Sequence, residues 1–214
     1  MVKGLDTFQK YFADYEEQYV LIGGAACDIL FESNEVNFRA TRDLDMVLIV
    51  EALTPEFGEK FWEFIVDGKY RNKATNGSNP QFYRFDKPED DEFPKMIELF
   101  CRSDFKLKNA KGITPIHIDD EVSSLSAILL NDDYYKALLN GKEVRNGLSV
   151  LRPEYIILFK AKAYLDLQKR KDSGEKLDSS DIKKHKKDVL RIASELMLEK
   201  VEELPIAVDA DIHS

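Results

Sequence analysis

The segment from Tyr19 to Val50, YVLIGGAACDILFESNEVNFRATRDLDMVLIV, constrains the fold more than any other part of the chain. A short apolar run ends in Gly23 and Gly24, and a later apolar run begins with Asp43 and Asp45. Short apolar runs bounded by turn residues are typical of buried strands, and AACDILFES between them has helical character. We therefore predict a strand, a helix and a second strand, with glycines at the first junction and two carboxylates at the head of the second strand.

The chain before and after this segment predicts further elements of an α+β fold with a mixed sheet and helices on one side. Phe8, Phe12 and Tyr15 have helical spacing, and Thr54-Pro55 is a suitable start for another helix. QFYRF and MIELFC read as strands joined in a hairpin by the charged loop DKPEDDE. Further along, SLSAILL reads as a strand and DDYYKALL as a short helix. We assign residues 1–150 to this α/β core.

Residues 151–214 have a different, helical pattern. Pro153 begins the helix PEYIILFKAKAYLDLQKR, and DIKKHKKDVLRIASELMLEK forms a second helix with Ser179 or Ser180 as the N-cap. The acidic tail after Leu204 is expected to be loosely ordered. We predict a helical C-terminal region packed on the core.

Composition limits the partners of the chain. With 214 residues, 43% of them hydrophobic, the chain is long enough to bury a substantial core. The formal net charge of −9 provides no overall basic field, so contact with a nucleic acid requires a local basic patch. The N-terminal residues lack the apolar core of a signal peptide, and no apolar run approaches the length of a membrane span. We expect a cytoplasmic protein without a membrane partner.

Asp43 and Asp45 are the first candidates for chemistry. Residues two apart in an extended chain project from the same face, so the two carboxylates point the same way and repel each other. A divalent cation relieves this repulsion, and Mg²⁺ typically binds one or two carboxylates together with substrate phosphates. The alternative is a charged turn in which Arg42 or Arg39 pairs with the acids.

Two other features of the sequence also suit a site for a divalent cation and a phosphate. Glu98 lies in MIELFC, a strand that fits beside LDMVLIV, and in a matching register it supplies a third carboxylate; otherwise it is a solvent-facing residue of a half-exposed strand. Gly23 and Gly24 allow backbone N–H groups at a helix start to approach a phosphate, or they form a plain tight turn.

The combination of Gly-Gly opening a helix, Thr41-Arg42-Asp43-Leu44-Asp45 entering a strand and an acid on a later strand resembles the nucleotidyltransferase superfamily with a DNA polymerase β-like fold. The segments LRPEYIILFKAKAYLDL and KKHKKDVLRI resemble the last motif of its AbiEii/AbiGii toxin family, a lysine-bearing helix followed by a basic segment ending in Asp-Leu or Asp-Val. The resemblance covers roughly residues 19 to 192.

The resemblance implies a role for each matching residue. Asp43, Asp45 and Glu98 are the catalytic and metal-binding acids for Mg²⁺ or Mn²⁺, although many relatives have Asp at the third place. The implied nucleotide-binding residues are Gly23, Gly24, Thr41, Arg42, Lys160 and Asp188.

The C-terminal assignments have alternatives within the sequence. Lys160 has apolar residues at helical neighbour spacing, but it can also extend from a packed helix to solvent, and Lys162 is a rival. Asp188 can pair with Lys184 at helical spacing, and His185 fits a packing position.

The activity implied is transfer of a nucleoside monophosphate from a nucleoside triphosphate to an acceptor hydroxyl. By resemblance the acceptor is RNA, especially tRNA, or a protein side chain, and a cognate antitoxin protein is a further expected partner. The basic clusters Lys169–Lys171 and Lys183–Lys187 are the candidate RNA surface, or else ordinary solvated helix ends. Two alternatives are a small-molecule adenylyltransferase of the antibiotic-modifying kind and a catalytically silent protein that binds a nucleotide or a partner.

Overall fold

The structure is a computed structural model that describes residues 2–32, 43–74, 80–101, 131–201 and 203–213. Within these ranges the helices are α1 (Leu5–Phe12), α2 (Gly23–Glu32), α3 (Pro55–Asp67), α4 (Asp132–Asn140), α5 (Pro153–Asp172), α6 (Ser179–Glu195) and α7 (Ile206–Ile212). The strands are β1 (Tyr19–Ile22), β2 (Asp43–Leu48), β3 (Arg71–Ala74), β4 (Pro80–Asp86), β5 (Met96–Cys101), β6 (Lys142–Arg145) and β7 (Leu148–Leu151).

The strands form one seven-stranded sheet in the order β3-β4-β5-β2-β1-β7-β6. β2 is antiparallel to β1 and parallel to β5, while β4 is antiparallel to both β3 and β5. β1 is parallel to β7. The predicted α+β class with a mixed sheet is confirmed, and so is the hairpin formed by β4 and β5.

An aromatic cluster covers one face of the sheet. Tyr19 of β1 packs edge-on against Phe8 of α1, with 5.5 Å between ring centroids, and Phe85 of β4 packs edge-on against Phe61 of α3 at the same separation. Phe8 also contacts Phe64 of α3. All five rings are almost fully buried. Helices α1 and α3 therefore lie on the same side of the sheet.

Local chemistry explains where α3 starts. Thr54 is in the extended conformation and its side chain accepts the Phe57 N–H at 3.3 Å, which satisfies one of the amide groups left unpaired at a helix start. Pro55, whose fixed φ suits the first turn, follows directly.

The prediction that Ser179 or Ser180 caps the last long helix was wrong. Helix α6 begins at Ser179, and its N-cap is Asp178, whose side chain accepts the Ser180 N–H at 2.8 Å. A carboxylate accepts this hydrogen bond as a full negative charge at the positive end of the helix, which makes Asp178 the better cap. The hydrogen bond lowers the pKa of Asp178.

Three strands and one helix were not predicted. β3, β6 and β7 are four residues each. β6 and β7 flank the turn Asn146-Gly147, where both residues have positive φ, 52° and 69°, as tight hairpin turns require. The tail expected to be loosely ordered contains α7. The SLSAILL segment lies outside the described residues.

The chain divides into two compact units. The first comprises Met1–Ile118 and Glu143–Val150 and contains the sheet with α1, α2 and α3. The second comprises Asp119–Lys142 and Leu151–Ser214 and contains the other four described helices, of which α5 and α6 pack together. Within the second unit, Tyr134 donates to Asp211 at 3.1 Å and the Ala207 N–H donates to Asp133 at 2.9 Å, which holds α7 against α4. None of the described helices has the length and apolar content that a membrane crossing requires.

Candidate functional site

The two aspartates of the opening segment lie on the same face of β2. Asp43 and Asp45 are half-buried, whereas Leu44 and Met46 between and after them are fully buried. This alternation is that of a strand with one polar and one apolar face. The sequence-based prediction that both carboxylates project in one direction is confirmed.

A row of residues crosses four strands at Asp45. Backbone pairing aligns Ile22 of β1, Asp45 of β2, Glu98 of β5 and Arg84 of β4. Paired residues on neighbouring strands point to the same face, so Asp45, Glu98 and Arg84 form a continuous polar row. The register in which Glu98 lies beside Asp45 was only one possibility in the sequence, and the structure adopts it.

A second row runs parallel to the first, two residues along each strand. It aligns Asp43, Met96, Asp86 and Arg71 across β2, β5, β4 and β3. Each row thus holds two carboxylates and ends in an arginine. We call the six charged residues of the two rows the charged face: Asp43, Asp45, Arg71, Arg84, Asp86 and Glu98.

The opposite face of the same strands is apolar. Leu44, Ile97 and Phe85 form the row between the two charged ones, and their exposure is 1% or less. Phe85 packs against α3 through Phe61. The aromatic cluster anchors one side of these strands, which fixes the direction in which the charged side chains project.

Gly23 brings the start of α2 against Asp45. Its φ of 65° lies in the left-handed region, and a β-carbon at this residue would collide with Asp45 Oδ2 and lie 3.2 Å from the carboxyl carbon. Any side chain here would displace the carboxylate, so glycine is required both for the backbone conformation and for the space. Gly24 follows inside α2 and is buried. The positive end of α2 favours a negative charge at this position.

Arg84 contacts one of the two carboxylate oxygens of Glu98. Arg84 Nε donates to Glu98 Oε1 at 2.6 Å, and Arg84 Nη2 contacts the same oxygen. The Glu98 side chain is 17% exposed and the Arg84 side chain 32%. In the described part of the chain no donor reaches Glu98 Oε2.

The donor chemistry of this face suits a small hard cation. Among the described residues no three His, Cys, Asp or Glu side chains converge closely enough to hold a metal ion. Asp43 and Asp45 nevertheless offer two carboxylates on one face, and Mg²⁺ commonly uses one or two carboxylates with water and phosphate oxygens as the other ligands. The space left by the missing β-carbon of Gly23 is what admits the Asp45 carboxylate to this position.

No protein-family model matches this chain, and no curated protein matches it. The assignment of a function therefore depends on the geometry of the charged face and on the residues of the C-terminal helices.

Lys160 and Asp188, both candidates for nucleotide binding, pair with each other in the second unit. Lys160 Nζ of α5 donates to Asp188 Oδ2 of α6 at 2.7 Å, and the two side chains are 9% and 5% exposed. The pairing of Asp188 with Lys184, an alternative offered by helical spacing, is not adopted, since Lys184 is exposed. The pair links two consecutive helices through residues 28 positions apart.

Lys162, the rival of Lys160, lies in a different environment. Its ammonium pairs with Asp166 at 3.1 Å and with Asp211 of α7 at 2.9 Å. Burial works to lower the pKa of Lys162, and the hydrogen bonds to Asp211 and Asp166 outweigh it, so that the pKa is raised. Lys162 is therefore a fully charged residue that ties α7 to α5. His185 is half-buried on α6.

Four exposed lysines of α6 form the basic patch: Lys183, Lys184, Lys186 and Lys187. Within the described ranges none of them lies within ion-pair distance of an acid. By contrast, Arg170 in the other basic cluster pairs with Glu175, and Lys171 donates to Ser179. The basic patch is therefore a local cluster of exposed lysines without acidic partners among the described residues, in a chain of net charge −9.

Thr41 and Arg42, two of the predicted nucleotide-binding residues, lie outside the described residues, as does Arg39. Three charged residues of the charged face were missed in the sequence: Arg84, Asp86 and Arg71. The alternation in Arg84-Phe85-Asp86 indicates that the two charged residues share a face opposite Phe85. No local signal gives the register that aligns Arg84 with Glu98.

Proposed function

We propose that the protein is a metal-dependent nucleotidyltransferase, which transfers a nucleoside monophosphate from a nucleoside triphosphate to an acceptor hydroxyl. The observation that carries the proposal is the polar row at Asp45. Glu98 lies in register beside it, Asp43 shares its face, and Gly23 gives the carboxylate room at the start of α2. Three acids on two adjacent strands beside a glycine turn support phosphoryl chemistry more than a solvated surface, because such a site offers carboxylate ligands to a divalent cation and backbone N–H groups to a phosphate.

In this proposal Asp43 and Asp45 hold Mg²⁺ or Mn²⁺, with Glu98 as the third acid. The ion, when bound, supplies positive charge to the phosphates and lowers the pKa of the acceptor hydroxyl. The N–H groups at Gly23 and Gly24 favour a phosphate at the start of α2. The protein contributes chiefly by position and charge, since phosphoryl transfer needs little covalent chemistry from side chains.

The bond changes follow from this arrangement. The acceptor oxygen attacks the α-phosphorus in line, the bond from the α-phosphorus to the bridging oxygen breaks, and pyrophosphate leaves. The proton of the acceptor hydroxyl passes to a carboxylate of the same face, Asp45 or Glu98. A carboxylate in hydrogen-bond reach is the type of group that accepts such a proton.

RNA is the acceptor that the surface supports best. The basic patch on α6 provides four lysines without acidic partners among the described residues, and phosphate contacts by lysine dominate nonspecific RNA affinity. A protein hydroxyl is the second acceptor to test, since the charged face itself does not select between them.

The test incubates the protein with each α-labelled nucleoside triphosphate, Mg²⁺ or Mn²⁺, and either total RNA or protein extract. The test variant is Asp45→Asn, and Asp86→Asn is the matched control because it removes a carboxylate from the same face two strands away. Circular dichroism and thermal unfolding establish that both variants are folded.

We expect label transfer by the wild type and by Asp86→Asn, and loss of transfer by a folded Asp45→Asn protein. A folded and active Asp45→Asn variant would refute the site. Nucleotide binding without transfer to either macromolecule would favour a small-molecule acceptor or a silent binding protein. Substituting the four lysines of the basic patch with glutamine is expected to reduce labelling of RNA and to leave nucleotide binding unchanged.

A further inference from the structure

We propose that Arg84 is a positioning residue of the cation site: it fixes Glu98 Oε1 so that Oε2 is presented to a divalent cation shared with Asp45. This inference rests on the proposed function, because it assumes that Asp43, Asp45 and Glu98 bind a cation. It adds a residue from β4 that the sequence motifs do not include.

The contacts that Arg84 makes restrict how the Glu98 carboxyl group can turn. Both Nε and Nη2 of Arg84 converge on a single oxygen of Glu98 instead of spanning the two oxygens. The guanidinium is a rigid planar donor, so two contacts to one oxygen restrict the carboxyl group more than one flexible ammonium would. Within the described ranges Oε2 accepts no hydrogen bond, and it is the oxygen left to bind a cation.

The order of charges along the row also supports a positioning role for Arg84. Glu98 stands between Asp45 on one side and Arg84 on the other. Two adjacent carboxylates without compensation repel each other, and Arg84 supplies a permanent positive charge at the far side of Glu98. Arg84 thereby holds the Glu98 carboxyl group in place before any cation binds.

The partial burial of Glu98 makes it depend on such a partner. The Glu98 side chain is only 17% exposed, so its carboxylate is partly removed from water and depends on protein partners. Groups that orient metal ligands in this way are worth about 10- to 100-fold in metal affinity when removed.

The experiment measures Mn²⁺ binding directly, by the loss of the free-ion electron paramagnetic resonance signal, in the full-length protein without nucleotide. The variants are Arg84→Met, Arg84→Lys and Glu98→Gln. Arg71→Met is the matched control, because it removes the same charge from the same face at the end of the neighbouring row.

An orienting role of Arg84 and a purely electrostatic role predict opposite effects of Arg84→Met on Mn²⁺ affinity. If Arg84 acted by charge alone, Arg84→Met would bind Mn²⁺ more tightly, as removal of a positive charge favours a cation, and Arg84→Lys would resemble the wild type. If it orients Glu98, Arg84→Met weakens Mn²⁺ binding by about 10-fold or more, and Arg84→Lys is also weakened because lysine lacks the planar fork.

We expect weaker binding in both Arg84 variants and in Glu98→Gln, little change in Arg71→Met, and no additional loss when Arg84→Met and Glu98→Gln are combined. Unchanged or tighter binding by Arg84→Met refutes the inference and leaves the proposed function standing. Wild-type binding that is identical to that of Asp43→Ala/Asp45→Ala refutes both.

Discussion

The carboxylate of Asp45 occupies the space that a β-carbon on Gly23 would fill. Asp45 lies on β2, whereas Gly23 is the first residue of α2 and directly follows β1. They meet because β1 and β2 pair with Ile22 opposite Asp45. The close approach gives the glycine a specific purpose, which is to admit a charged group to the start of α2.

We predict that Gly23→Ala destabilises the first unit and also lowers the rate of label transfer, because it displaces the Asp45 carboxylate. A left-handed backbone costs an L-residue about 1–2 kcal/mol, and displacement of a reacting group by about 1 Å is enough to reduce a rate by about 100-fold. Denaturant unfolding and the label-transfer assay measure the two effects. The matched control is Gly147→Ala, at φ 69°, where the nearest atoms are side-chain atoms of Gln9 and Ala13. A transfer rate in Gly23→Ala equal to that of Gly147→Ala would contradict the prediction.

The buried pair of Lys160 and Asp188 predicts a large stability effect. Lys160→Met removes the ammonium that pairs with the buried Asp188 carboxylate, which costs about 3–5 kcal/mol, and replacing both residues by apolar ones should recover most of the loss. Urea unfolding followed by circular dichroism measures the free energies of unfolding. Lys162→Met is the control, since its more exposed pairs should contribute about 1 kcal/mol. A Lys160→Met protein as stable as the control would show that the pair contributes no net stability.

The cap of α3 predicts a smaller, local effect. Thr54→Ala removes the hydroxyl that accepts the Phe57 N–H and should cost about 1 kcal/mol, whereas Thr54→Ser retains the oxygen and should cost much less. For a protein of this size about 1 kcal/mol corresponds to a melting temperature lower by about 2–4 °C. Differential scanning calorimetry distinguishes the two variants. Equal losses in both would mean that the threonine methyl group, and not the cap, carries the effect.

We predict that ionisation of Tyr70 lowers the stability of the protein in alkaline solution. Burial raises the pKa of Tyr70 above its ordinary value of 10.0, and its hydroxyl donates to the Pro94 carbonyl at 2.6 Å. A pKa raised in the folded state means that the stabilisation is fully present below the unfolded pKa, near 10, and declines as the pH rises above it. At neutral pH the free energy of unfolding of Tyr70→Phe should be lower by about 1 kcal/mol, because the hydrogen bond is lost. Above about pH 10, the ordinary pKa of tyrosine, its stability should decline less steeply than that of the wild type.

Urea unfolding at a series of alkaline pH values checks this prediction. Tyr15→Phe is the control, because the Tyr15 hydroxyl makes no hydrogen bond to the described residues. An alkaline decline in Tyr70→Phe as steep as in the wild type would assign the effect to other buried tyrosines, of which Tyr19 and Tyr134 also have raised pKa values.

Elements with strong local patterns could be predicted. YVLI and MIELFC form strands at the expected residues, and the helix beginning at Pro55 starts where the cap and the proline indicate. β6, KEVR, has no apolar run, and its place at the edge of the sheet comes from pairing with the rest of the fold. Weak β-propensity is overridden by such pairing.

In the charged face, too, one property follows from local sequence and another depends on strand pairing. The shared direction of Asp43 and Asp45 follows from the period of a strand, which is a local property of the backbone. The alignment of Asp45 with Glu98, and of Glu98 with Arg84, depends on register, and a shift by one residue would turn each side chain to the other face.

The sequence by itself determined the order of the main helices and strands and the residue types that suit a cation and a phosphate, because periodicity, caps and turn residues act over a few residues. Only the tertiary structure decided which of those residues meet. The pairing of Lys160 with Asp188, the approach of Asp45 to Gly23 and the contact of Arg84 with Glu98 join residues 14 to 28 positions apart. Such contacts form because the strands and helices that carry these residues bury their apolar faces together, and no local pattern encodes that packing.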